Sequence, residues 1–182
     1  MGLAFLIAAV VAGYAILTYN RLTRLRQLGD NAWADIDVQL KRRHDLVPMV
    51  VAVVKGHAGY ERGTLEAVVE ARNRAIQAAG PAAKAQAEEP LEGSLHRIFA
   101  LAEAYPDLRA VESFRELQRT LVDIEDHLQK ARRYYNAVVR DFNTATGQFP
   151  SNLLAGPMGF RPREFFGIED EAERKAPIVE VP

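Results

Sequence analysis

Hydrophobic positions along this chain follow two regimes. From Leu3 to Tyr19 they are continuous, a run of Leu, Ile, Val, Ala, Phe, Gly and Tyr with one Thr and no charge. From Leu22 onward they recur every three or four residues. Ile36, Leu40, Arg43, Val47, Val50 and Val54 step four, three, four, three, four, and Leu22, Leu25, Leu28, Ala32 and Trp33 carry the same face backward. Phe114, Leu117, Leu121, Ile124, Leu128, Ala131, Tyr135, Val138, Phe142 and Ala145 repeat the alternation over more than four heptads. A sustained 3.5-residue repeat marks helices packed lengthwise on one another.

The pattern predicts four helices in the body. The first continues from the apolar run to Gly56 and Gly59. Pro48 lies in its path. A proline inside a helix removes one hydrogen bond and costs about 3 kcal/mol, so a bend or break is expected between Asp45 and Pro48. The second helix runs from Glu61 to Ala79, with Leu65, Val68, Val69, Ala75 and Ile76 inward, and Gly80-Pro81 stops it. The third runs from Ala82 to Ala104, with a break offered at Pro90 and a firm part at Leu91, Leu95, Ile98, Ala102 and Tyr105. The fourth starts at Pro106, with Asp107 favouring its N-terminus, and ends near Gly147. No strand pattern is present. The expected fold class is all-α: a single N-terminal transmembrane helix continuing into an antiparallel four-helix bundle with long first and last helices. Three parts follow, an anchor over 1–20, the bundle over 21–150, and an apolar, aromatic strap with an acidic tail over 151–182.

The 17 residues from Leu3 to Tyr19 span roughly 26 Å as a helix, close to the thickness of a thin hydrocarbon core. Leu3, Phe5, Leu6, Ile7, Val10, Val11, Tyr14, Ile16, Leu17 and Tyr19 form the expected anchor. A secretory signal would open with a basic stretch and end at a small-residue cleavage site; neither is seen. Leu6 stands where a myristoylation pattern needs Ser or Thr. Arg21, Arg24 and Arg26 follow the span and none precedes it, which places the body in the cytoplasm and the N-terminus outside.

Residues 20–55 and 109–146 would each be about 54–57 Å long as helices, about twice the length of the two between them. Four helices can therefore coexist only in the half of the bundle far from the membrane. Leu22, Leu25, Trp33, Tyr135, Val138 and Phe142 lie in the near half, beyond the reach of the middle helices, and are expected to form a homo-oligomer interface. The tail returns to the same end with Leu153, Leu154, Phe160, Phe165 and Phe166, and with Arg161 and Arg163 among them. Two uses are open: a strap over the lower half of the long helices, or a wedge on an anionic membrane surface. Glu169, Asp170, Glu171 and Glu173 read as a solvated tail.

Composition adds mostly exclusions. Formal net charge is −1, so nucleic acid is not an expected partner, and the absence of Cys removes disulfides, thiolate nucleophiles and Cys-based zinc sites. No Gly-x-Ser-x-Gly and no Gly-rich phosphate loop occurs. Glu92 with His96, and His57 with Glu61, share helix faces but lack the Glu-x-x-His spacing of di-metal bundles; they read as surface groups. No catalytic, cofactor or metal residue is assigned. The densest polar cluster is Asp35, Asp37, Gln39, Lys41, Arg42, Arg43, His44 and Asp45. Asp37 and Lys41 can pair along the helix. Arg43 falls on the seam, where a buried polar group can fix helix register or partner choice. Arg132, Arg133, Tyr134, Tyr135 and Asn136 form a second, basic and aromatic cluster.

The segment Ala32-Trp33, Ile36-Asp37-Val38-Gln39-Leu40-Lys41-Arg42-Arg43 and Asp45-Leu46-Val47-Pro48 resembles the signature of the LemA family. Lys55-Gly56, Ala71-Arg72, Tyr105-Pro106-Asp107-Leu108, Arg133-Tyr134, Tyr135-Asn136, Phe149-Pro150 and Gly159-Phe160 extend the resemblance over about residues 19 to 166. Within it, Asp37, Gln39, Arg42, Arg43, Asp45 and Pro48 are the polar core of the motif. Met49 replaces a usual Asn, His57 and Tyr60 stand where Tyr and His are usual, and Gly167 replaces a common acid. The resemblance implies a helical bundle anchored in the bacterial inner membrane, with lipid as its constant partner and no established enzymatic activity. It also implies two associations: a membrane zinc protease of the HtpX type, for which the protein would be an adaptor or regulator, and relatives that help build magnetosome membranes. The reading from the residues themselves is a self-associating scaffold at the membrane.

Overall fold

The computed structural model describes residues 1–57, 62–102 and 105–167. Among these residues there are six helices and no strand: α1 (Gly2–His57), α2 (Arg62–Gln77), α3 (Pro81–Ala102), α4 (Pro106–Ala110), α5 (Glu112–Gly147) and α6 (Asn152–Ala155). The 56 residues of α1 extend roughly 84 Å and the 36 of α5 roughly 54 Å. The seam positions of α1 from Ile36 to Val54 are buried, as are Phe114, Leu121, Ile124, Leu128, Tyr135, Val138, Phe142 and Ala145 on α5. Leu117 and Ala131 are half-buried.

Three apolar clusters stack along the two long helices. The distal one joins Leu46, Val47, Val50 and Val54 of α1 to residues of α2, α3, α4 and α5. The middle one joins Ala32, Ile36 and Leu40 to Leu128, Tyr135, Val139 and Phe166. The proximal one joins Leu22 to Phe142, Ala145, Ala155 and Phe160. The order of partners makes α5 antiparallel to α1. Lys84 pairs with Asp37 at 2.6 Å, so α3 begins at about the level of Trp33, and below it only α1, α5 and the C-terminal segment remain. Gly80, with φ +84°, makes the turn into α3 in a backbone region that side chains disfavour.

Several expectations are corrected. Of the bend or break expected at Pro48, the break does not occur: helix α1 continues through it. Proline withdraws the N–H that would bond the His44 carbonyl; Arg72 Nε donates to that carbonyl instead, at 2.8 Å, so the orphaned acceptor is satisfied from α2. Helix α3 likewise continues through Pro90. The last helix, by contrast, is interrupted at Val111, which is extended (φ −69°, ψ 118°). Leu108, Val111 and Phe114 step three and three, a spacing that walks off a straight helical seam. The single extended residue resets the phase, so that Leu108 is buried and Phe114 packs on Phe99 with ring centroids 5.1 Å apart. On α2 the buried stripe is Leu65, Val68, Ala71 and Ala75, while Val69 and Ile76 lie to one side and are exposed. Tyr105 caps α4 from outside and is also exposed. Gly59, Glu61, Ala104 and the acidic run from Glu169 to Glu173 lie outside the described residues.

Candidate functional site

The apolar N-terminus is exposed over nearly all of its surface. An 18-residue window of α1 reaches a mean hydropathy of 2.0 with 6% of it buried. Leu3, Phe5, Leu6, Ile7, Val10, Val11, Tyr14, Ile16, Leu17 and Tyr19 are all exposed. Such a surface is stable only in lipid or against a partner. The helix passes from this stretch through Arg21, Arg24 and Arg26, all exposed, without interruption.

A polar layer separates the distal and middle apolar clusters. Arg43, 1% exposed, lies between Leu40 and Leu46 on α1. Its Nη1 donates to Glu88 Oε2 on α3 at 3.4 Å and lies 3.5 Å from Glu92 Oε2. Its Nη2 lies 4.0 Å from Glu125 Oε1 on α5. Glu88, also buried, meets His44 Nε2 through its other oxygen at 2.6 Å. His96 Nε2 stands 3.1 Å from Glu125. Burial pushes the Glu125 carboxyl above its ordinary range, against the opposing pull of His96 and Arg43. One guanidinium thus ties α1 to α3 and α5. A charge this deep carries a large desolvation penalty unless it is paired, and three carboxylates lie within 4.0 Å of this guanidinium.

A groove of about 660 Å³ opens beside the layer, lined by Arg43, Glu88, Glu89, Glu92, Glu125, Asp126, Gln129 and Arg132, with Leu128 and Phe166 among its apolar walls. Glu92, His96 and Glu125 bring one donor atom each within 4.8 Å of the others, although Glu92 and His96 are exposed. The sequence pairs Glu92 with His96 but gives no sign of Glu125 beside them. Arg43 already supplies positive charge to two of these carboxylates, so a cation there would compete with it.

The other motif residues serve the helix surfaces. Asp37 does not pair with Lys41: it takes Lys84 of α3 at 2.6 Å, and Lys41 takes Asp45 at 2.6 Å. That hydrogen bond holds the exposed Asp45 carboxyl below its ordinary range. Arg42 donates to Gln39 at 3.2 Å. Pro48 is exposed.

The C-terminal segment fills the place of the missing helices below Trp33. Asn143 Nδ2 donates to the Arg163 carbonyl at 2.9 Å and its Oδ1 accepts from the Arg163 amide at 2.8 Å. Asn136 does the same to Phe166, at 3.1 and 2.9 Å. The two asparagines are seven residues apart on α5, roughly 10.5 Å along a helix. Arg163 and Phe166 are three residues apart in a segment outside any helix, a separation of roughly 10 Å when the chain is extended. The match of these two repeats lets a helix face clamp an extended segment by its backbone. Tyr135 Oη donates to the Glu164 carbonyl at 2.9 Å between the clamps, and burial pushes its hydroxyl pKa up. Asn143 was not singled out in the sequence; its seven-residue spacing from Asn136 is the signal that could have found it.

The remaining tail candidates divide. Phe160 and Phe166 are buried, Phe165 and Leu154 are half-buried, and Leu153 and Arg161 are exposed. Trp33 meets the ring of Tyr135 at a tilt, with centroids 5.5 Å apart, and that of Phe166 edge to face at 5.6 Å. Arg163 reaches Asp30 at 2.6 Å and the Arg26 carbonyl at 3.2 Å. It lies across Gly29, where an added Cβ would stand 3.3 Å from its guanidinium. Leu22, Tyr135, Val138 and Phe142, expected at an interface between copies, are therefore buried within one chain, with Leu25 and Trp33 half-buried. The expectation failed because it left the lower half of the long helices to a second copy, whereas the chain's own tail covers it.

The family model described as LemA family matches residues 32–181. Magnetosome proteins MamQ 1 and MamQ 2 of Paramagnetospirillum magneticum are each 23% identical over 201 aligned positions, covering 95% of this chain and 73% of theirs. Magnetosome protein MamQ of Magnetospirillum gryphiswaldense is 22% identical over 177, covering 83% of this chain and 65% of its own.

Proposed function

The chain belongs to the LemA family and is a membrane-associated helical protein, and from this premise we propose that it is a self-associating scaffold of the bacterial inner membrane without catalytic activity. The carrying observation is the exposed apolar span running without interruption into a packed helical bundle. In this proposal the span crosses once, the N-terminus lies outside, and Arg21, Arg24 and Arg26 hold the bundle on the cytoplasmic side. The likeness to proteins named for the magnetosome supports a place at a membrane.

Self-association needs a surface other than the one the tail covers. Val38 and Tyr134 are 56% and 50% exposed, on either side of a shallow groove between α1 and α5. They are the proposed contact between copies. No observation among the described residues favours the protease adaptor or regulator. Light scattering of the full-length protein in detergent should give a multiple of the chain mass that Tyr134→Glu reduces. A monomer mass at micromolar concentration would refute self-association. Protease added to the outer face of intact spheroplasts should spare the bundle; digestion there would reverse the orientation.

A further inference from the structure

The turn between α5 and the strap carries two large apolar side chains that stand exposed among the described residues. Phe149 is 80% and Leu153 is 64% exposed, the highest values for large hydrophobic residues beyond residue 20 among the described residues. They are not loose. Helix α6 is held by Ala155, which packs with Leu22, Phe142 and Ala145, and Ser151 Oγ donates to the Ala145 carbonyl at 2.7 Å.

The level of this turn is fixed by its partners. Leu22 follows the last apolar residue of the span, Tyr19, by three positions, roughly 4.5 Å along a helix. The ring of Tyr19 itself meets Phe160, with centroids 5.7 Å apart. Thr18, inside the span, is already buried. The turn therefore sits beside the end of the span, where a bilayer around α1 would have its headgroups. Its surroundings carry positive charge: Arg26 lies over the Phe160 ring at 5.5 Å, and Arg21, Arg24 and Arg161 are exposed.

We propose that the segment from Gln148 to Gly159 is a second membrane contact, a foot. Phe149 and Leu153 enter the boundary between headgroups and acyl chains of the leaflet that α1 leaves, and the neighbouring arginines face anionic headgroups. The proposal rests on the span being an anchor. An anchored foot needs little affinity of its own, because the covalent connection holds it at the surface. Its effect is orientation: two contacts in one leaflet set the tilt and rotation of the bundle on the membrane, which a single helix leaves free.

The chain has no Cys, so single-Cys variants of the full-length protein can be labelled with an environment-sensitive fluorophore. Val11→Cys, Phe149→Cys, Leu153→Cys and Val69→Cys would be reconstituted in vesicles of phosphatidylglycerol and phosphatidylethanolamine. Quenching would be read from lipids spin-labelled at shallow or deep acyl positions. Labels at 149 and 153 should respond more to the shallow quencher, the label at 11 to the deep one, and the label at 69, exposed on α2, to neither. Quenching at 11 with 149 and 153 no different from 69 overturns the foot and leaves the anchor. No quenching at 11 overturns the anchor and the foot with it. Neutral phosphatidylcholine vesicles should weaken the response at 153 and not at 11; indifference to lipid charge removes the arginines from the proposal.

Discussion

Asn136→Ala tests whether an extended tail is held by side chains on a helix. The substitution removes the two hydrogen bonds between the Asn136 amide and the backbone of Phe166. Both ends of these bonds are buried, so water replaces neither until the segment lifts. A bond of this kind contributes about 0.5–1.5 kcal/mol, and two give about 1–3 kcal/mol. With a urea dependence near 2 kcal/mol per molar for a domain of this size, the midpoint should fall by about 1 M. Trp33 is the single Trp of the chain and packs on the Phe166 ring, so its fluorescence follows release of the segment, while far-ultraviolet circular dichroism follows the helices. In detergent-solubilised full-length protein the Trp33 transition should move by about that amount and the dichroism transition by less. Asn73→Ala, exposed on α2, should stay within about 0.5 kcal/mol. If Asn136→Ala and Asn73→Ala move the Trp33 transition equally, the clamp contributes nothing and the segment is held by its aromatic rings alone.

Three further outcomes follow from the polar layer. Arg43→Met leaves the buried Glu88 carboxylate without its guanidinium and should lower stability by about 3–5 kcal/mol, with Glu88→Gln in the same chain recovering part of the loss in urea titrations. Arg72→Met withdraws the donor from the His44 carbonyl opposite Pro48 and should cost about 1–3 kcal/mol; a Pro48→Ala background, which restores the helical N–H, should shrink that cost. Glu125 has its folded pKa raised, chiefly by burial, so protonation favours the folded state. That stabilisation is complete below the unfolded carboxylate pKa and lost as pH rises through the raised value. Glu125→Gln should therefore melt higher than wild type at pH 8, with the difference vanishing near pH 4, and a constant difference across that range would contradict the assignment.

Much of this architecture is legible in the sequence because it depends on period alone. An uncharged run long enough to span a bilayer, and two seams repeating every 3.5 residues, determine a membrane-associated all-α bundle whatever the side chains touch. Arg43 is visible as a charge on an apolar seam for the same reason. The relative lengths of the helices also follow from counting, and they identify the half of the bundle that the middle helices leave bare.

What covers that half was decided in three dimensions. Apolar pattern treats a second copy, a membrane and the chain's own tail as equivalent covers for Leu22, Tyr135 and Phe142. Only the backbone pairing of Asn136 and Asn143 with an extended segment distinguishes them, and it depends on two geometries having matching repeats. The continuity of α1 through Pro48 is tertiary in the same sense, since the remedy for the lost hydrogen bond comes from Arg72 on another helix. The break at Val111 occurs without Gly or Pro, because it is set by the phase that packing demands of Leu108 and Phe114. Which carboxylates meet Arg43 was likewise open until α3 and α5 were docked: a helix specifies its own faces by period, but the partners of a buried charge are fixed by the register of its neighbours.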